Sequence, residues 1–231
     1  MKDEKYFNFP IQLLAGFMID ENNKTLINIL DYSVYENSLK LVFGKDLQKV
    51  VDSASFYNIT LGDKNRTLKN GKMLYNSIPT NSPKAGLNLS IFWDFYKNDK
   101  TEFDKICLLA FLGIKSIIGS KSYCKLTNLF LWSRMDGKTN AIVTVSELSN
   151  EIRKYANEYQ TKKIKTALRN NWGLVHYARH TRGFYVSFKI TLKQLIFEAE
   201  KRRISTKEKQ YKEQEKETLK QVLEQLKTTR P

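Results

Sequence analysis

Apolar residues recur at three- and four-residue spacing along most of this chain, a period that predicts a mainly α fold. Thr25 to Leu41 sets Leu26, Ile29, Leu30, Val34 and Leu39 along a helix, and further helices are expected at Asp46 to Tyr57 and Thr67 to Asn76. An apolar run of Phe9, Pro10, Ile11, Leu13 and Leu14 precedes them. Pro79, Asn81, Ser82, Pro83 and Gly86 then form a loop, the best boundary in the chain, because Pro removes a backbone donor and Gly favours turns. Past Phe92, Trp93, Phe95 and Tyr96, an exposed-looking aromatic group, Thr101 to Ile118 reads as a buried helix. Thr101 caps it, and Asp104 stands three residues on, where a capping-box acid belongs.

Shorter elements follow. After Gly119 to Ser122 and a short, partly apolar Tyr123 to Leu126, a helix is expected from Thr127 to Met135, stopped by Asp136 and Gly137. Thr144 and Glu147 form a T-x-x-E box, predicting a helix from Val145 to Tyr155 with Leu148, Ile152 and Tyr155 on one side. A polar break, Ala156 to Tyr159, leads to a helix over Gln160 to Trp172. Its inner face is Ile164, Ala167, Leu168 and Trp172; its outer face is Thr161, Lys162, Lys163, Lys165, Thr166 and Arg169. Gly173 ends that helix and the period changes to two: Leu174 to Tyr177 is a strand, Arg179 to Gly183 a turn, and Phe184 to Ile190 the return strand. The hairpin tip carries Arg179, His180, Thr181 and Arg182. Thr191 to Thr229 reads as a long helix, apolar at Leu192, Leu195, Ile196 and Ala199 and again at Leu219, Val222, Leu223 and Leu226, with a charged middle. The expected organisation is a helical block over 1–98, a basic unit over 99–190 and a basic helical tail over 191–231.

Charge gives this pattern a partner. The chain has 39 Lys and Arg against 24 Asp and Glu, net +15. Residues 1–98 hold 12 basic and 10 acidic groups, residues 99–190 hold 16 and 7, and residues 191–231 hold 11 and 7. A genome that favours Lys explains the composition but not this segregation. Cations gathered in one segment suit a phosphate polyanion, because each one brought to DNA releases condensed counterions. Only Cys107 and Cys124 and two histidines, His176 and His180, are present, without C-x-x-C spacing, so no metal and no cofactor is expected. Gly-rich phosphate loops, HExxH and G-x-S-x-G are absent, and no small-molecule ligand is evident. The N-terminal MKDEKYFNFP has no apolar leader, and Lys115 interrupts the longest greasy stretch; a cytoplasmic, nucleoid-associated protein is expected, away from membranes.

Helix, polar turn, basic helix, Asn-Trp-Gly-Leu-Val and hairpin together resemble the winged-helix DNA-binding family, over at most Thr101 to Ile190. The resemblance implies that the basic helix enters the major groove of double-stranded DNA while the wing reaches phosphates or the adjacent minor groove. The matching groove-facing positions are Thr161, Lys162, Lys165, Thr166 and Arg169, flanked by Lys163, and the matching wing tip is Arg179 to Arg182, His180 included. Either Thr127 to Met135 or Val145 to Tyr155 fills the place of the positioning helix; in the first case residues 136–157 are an insertion. Lys201, Arg202 and Arg203 of the tail are candidate backbone contacts, and its last apolar patch is a candidate homodimer contact, though about one heptad is short for a coiled coil.

A sharper motif competes. His176-Tyr177-Ala178-Arg179-His180-Thr181 resembles the H-x-x-R-H-T box of tyrosine recombinases, with Tyr211 in the nucleophile's place. That box normally opens a helix, whereas here it runs into Gly-Phe-Tyr-Val-Ser-Phe, a strand-favouring sequence, and no second phosphate-gripping Arg is in evidence. The chain reads as no enzyme. Two function classes stay open: a DNA-binding protein of a plasmid, phage or other bacterial mobile element, serving transcription regulation or replication initiation; and an assembly or adaptor protein that binds a protein through the aromatic group and nucleic acid without sequence preference.

Overall fold

A computed structural model of the chain describes residues 6–41, 64–178 and 183–228. The fold is mainly helical, with two small antiparallel sheets.

The N-terminal block holds strands as well as helices. Strand β1 (Tyr6–Pro10) buries Phe7 and Phe9 in alternation and pairs with β2 (Lys84–Asn88), Tyr6 facing Asn88 and Pro10 facing Lys84. This corrects the purely helical reading of 1–98 and the far end of the expected loop. Pro79 to Pro83 is a turn, with Ser82 N–H donating to the Pro79 carbonyl, but from Lys84 on the chain is strand, Ala85 and Leu87 pointing into the core while Gly86 lies between them, facing out. Between these strands come α1 (Lys24–Leu41) and α2 (Lys64–Ser77), close to the periodic expectation. Gly71 of α2 sits so near α1 that a Cβ there would lie 2.3 Å from the Asp31 carbonyl oxygen. Tyr75 of α2 stacks on Tyr32 and meets Tyr35 edge-on, both on α1. The helix expected over Asp46 to Tyr57 lies outside the described residues.

Helix α3 (Leu89–Lys97) follows β2 directly, capped by the Asn88 side chain. It corrects the reading of the aromatic group as exposed: Phe92 and Phe95 are buried, and Trp93 and Tyr96 pack around Phe92. Helix α4 (Glu102–Ile118) is the central element, with nine buried residues and the expected Thr101–Asp104 capping box formed. It packs against β2, against α5 (Asn128–Met135), and against α7 (Glu158–Trp172). Both cysteines are buried and free, and burial pushes each thiol up to about 11.

The helix expected over Val145 to Tyr155 does not form as one element. The Thr144–Glu147 box is made, but it opens only a 3-10 turn, Val145–Glu147, before a four-residue α6 (Asn150–Arg153). Leu148 is extended, Ser149 N–H donates to the Asp136 carboxylate, and the Arg153 guanidinium donates to the Ser146 and Leu148 carbonyls, which removes partners a continuous helix needs. Leu148 and Ile152 remain buried, so the apolar period survives where the helix does not.

Strand β3 (Cys124–Leu126), β4 (Val175–Tyr177) and β5 (Phe184–Ser187) make an antiparallel sheet in the order β3-β5-β4. The final helix, α8 (Leu192–Thr228), spans 37 residues. Leu195 and Ala199 seat its first turns on Tyr185, Val175 and Tyr177 of the sheet, and residues 201–221 are all exposed. Among the described residues no helix is long and apolar enough to cross a membrane. One hydrophobic cluster runs from Phe7 to Val186, so buried side chains on both sides of residue 98 share a core.

Candidate nucleic-acid interface

In chain order the central unit is helix α4, strand β3, helices α5, α6 and α7, then the hairpin β4–β5. Residues 136–157 separate the two full helices α5 and α7. Helix α7 starts two residues before the sequence suggests, because the Asn157 side chain accepts from Gln160 N–H at 2.9 Å and caps it. Asn157-x-x-Gln160 is the sequence signal for that start. Gly173 ends the helix as expected, with φ +67°, and the N–H of the next residue, Leu174, returns to the Leu168 carbonyl at 3.1 Å.

Ile164 and Leu168 anchor α7 in the core, and Trp172 meets Phe111 of α4 at 4.6 Å. The opposite face is exposed: Tyr159, Lys162, Lys163, Thr166, Arg169 and Asn170. Tyr159, at 73% exposure, and Asn170 were not read from the sequence. Lys163 leans over the Phe103 ring at 4.6 Å while staying exposed.

Two residues assigned to the outer face are not on it. Thr161 is 3% exposed, and its hydroxyl donates to the Asn157 carbonyl one turn back. Lys165 turns inward, its ammonium 3.1 Å from Asn128 Oδ1 of α5 and 3.4 Å from the centre of the Phe184 ring on β5. The reason is angular: 161, 164, 165 and 168 are spaced three, one and three apart, one face of a helix whatever their polarity. Burial lowers the Lys165 pKa to about 8. His176 on β4 is pushed down by burial and then by the charges of Lys165 and Arg169, and its Nδ1 is buried without a hydrogen-bond partner among the described residues. Cations therefore gather where α7 meets the hairpin.

The hairpin tip, Arg179, His180, Thr181 and Arg182, lies outside the described residues. His176 of the recombinase-like box stands in a strand, and Tyr211 is 71% exposed on α8. At the base of the tail, Tyr177 of β4 donates to Glu200 at 2.8 Å and Tyr123 to Glu198 at 3.0 Å. Arg203 pairs with Glu200 at 2.8 Å, Arg202 lies over the Tyr123 ring, and Lys201 is exposed. Of these three cations, Arg203 already has its counter-charge.

Comparison with family models, with curated proteins and with solved structures returns no match.

Proposed function

We propose that the chain is a duplex-DNA-binding protein whose central unit is a winged helix, with α7 as the recognition helix, α5 as the positioning helix, residues 136–157 as an insertion and the β4–β5 hairpin as the wing. One observation carries this reading. Helix α7 is fixed to the core by Ile164 and Leu168, and the face it turns to solvent holds Tyr159, Lys162, Lys163, Thr166, Arg169 and Asn170, with no carboxylate after Glu158. Lys and Arg supply donors to phosphate or to guanine, while Asn170 supplies a side chain able to pair with adenine. The succession of a short helix α5, a basic helix α7 and the antiparallel β4–β5 pair supports the same reading. A regulator or replication initiator of a plasmid, phage or other mobile element fits a protein of this kind. The adaptor alternative has less support, because in its docking group of Phe92, Trp93, Phe95 and Tyr96 the two phenylalanines are buried and the other two half-buried.

Salt-dependent binding to selected and random duplexes tests the proposal. The wild-type chain is expected to bind a selected site more tightly than random DNA. Lys162→Ala with Arg169→Ala is expected to weaken the selected site by roughly tenfold to a hundredfold, the cost of about one lost base contact with a lost phosphate contact. No binding at low salt, or full affinity in the double variant, removes the proposal.

A further inference from the structure

We infer that α2 carries a second duplex-DNA contact, with Lys69 and Lys72 bound to the phosphate backbone. This rests on the reading of α7. The block over 1–98 sums to near neutrality, which hides how its charge is placed. Residues 64–77 contain Lys64, Arg66, Lys69 and Lys72 and no acid, whereas the rest of the block holds 8 basic groups against 10 acidic ones. Among the described residues α2 is therefore the most one-sided helix of the N-terminal block, and a sum over the domain cannot reveal it.

Geometry turns that charge outward. Thr67, Asn70, Gly71 and Leu74 follow the three- and four-residue spacing of one helix face, and that face meets α1. Asn70 donates to the Asp31 carboxylate, Gly71 touches the Asp31 carbonyl, and Tyr75 stacks on Tyr32. The other face, Asn65, Lys69, Lys72 and Asn76, is exposed. Among the described residues Lys69 and Lys72 have no ion-pair partner, in contrast to Lys84 with Glu36, Lys100 with Asp94 and Lys138 with Asp136. A rigidly seated helix that presents ammonium groups and amides, with Met73 as its one large exposed apolar side chain, suits a phosphate backbone better than a lipid surface, which needs a broad apolar face to enter the bilayer.

The test compares full-length wild type, Lys69→Ala with Lys72→Ala, and Lys69→Arg with Lys72→Arg, on duplex DNA over a series of salt concentrations. Each lost phosphate contact takes about one unit from the slope of log affinity against log salt, so the Ala pair is expected to lower the slope by about 2. Affinity at 0.1 M salt is expected to fall by roughly tenfold, equally on selected and random duplexes, and the Arg pair is expected to restore both. An unchanged slope in an Ala pair with wild-type circular dichroism overturns this inference and leaves the reading of α7 intact. A wild-type chain that binds no duplex at low salt overturns both. Loss confined to anionic vesicles, with DNA binding unaltered, assigns the face to a membrane and overturns the inference as well.

Discussion

Two basic helices lie against the same core and are held there by different means. α7 is fastened by apolar volume: Ile164 and Leu168 are buried, and Trp172 closes on Phe111. α2 has no fully buried apolar side chain; Leu68 and Leu74 are only half-buried against the core, and the helix is held besides by a glycine that lets two backbones touch, by an amide donating to Asp31, and by a tyrosine stack. Burial of Asp31 raises its pKa against those polar bonds, so the contact holds an acid that is costly to ionise. A helix seated by apolar side chains announces itself in the hydrophobic period. One seated by close approach leaves a weaker period, here Leu68, Leu74 and Tyr75 with a glycine among polar residues, which shows the helix but not which of its faces is held.

The sharpest way to break this contrast is to remove the anchor of α7. Leu168 is fully buried, so Leu168→Ala is expected to destabilise the protein by about 2 to 5 kcal/mol, read as a lower urea midpoint at an unchanged slope. A loss below about 1 kcal/mol would mean that the neighbours collapse into the space and that volume is not what holds α7.

The same contrast explains what was legible in the sequence. α4 could be read through its capping box and apolar run, and α7 through Ile164 and Leu168. Residue type points Thr161 and Lys165 outward, but angle sets both on the arc of Ile164 and Leu168. The β1–β2 pair was not legible, because its partners are about 80 residues apart in the chain and β2 consists of Lys-Ala-Gly-Leu-Asn after a proline, a loop by local chemistry. Only the core that Phe7, Phe9, Ala85 and Leu87 share makes it a sheet. The outward face of α7 was largely visible; that of α2 was averaged away.

A smaller effect tests the other half. Gly71→Ala places a methyl 2.3 Å from a backbone oxygen and 2.6 Å from Tyr35 Cβ, so α1 and α2 must separate. Overpacking of this kind costs about 1 to 3 kcal/mol, and the better helix propensity of alanine returns up to about 1 kcal/mol. A net loss of about 1 to 2 kcal/mol is expected, visible as a lower thermal midpoint. A stabilised variant would show that close approach does not seat α2, and that its inner face resembles that of α7 after all.

Lys165 gives the smallest effect and the most specific one, because it brings a polar group into the apolar seat of α7. Its folded pKa, lowered by burial to about 8, lies below the ordinary lysine value of 10.5, so in this range the unfolded chain binds the proton more tightly than the folded one. Stability then rises with pH from about 8 towards 10.5, as the folded protein sheds a charge that the unfolded chain keeps. Lys165→Met keeps the length of the side chain and removes the charge. At pH 7 the variant is expected to be as stable as wild type or more stable by less than about 1 kcal/mol, since a buried cation is replaced by an apolar chain of similar volume. Between pH 8 and 10 the wild type is expected to gain on the variant, as the paired denaturation midpoints would show. A difference that stays constant across that range would mean that Lys165 keeps its proton, and that the Phe184 ring and Asn128 compensate its burial in full.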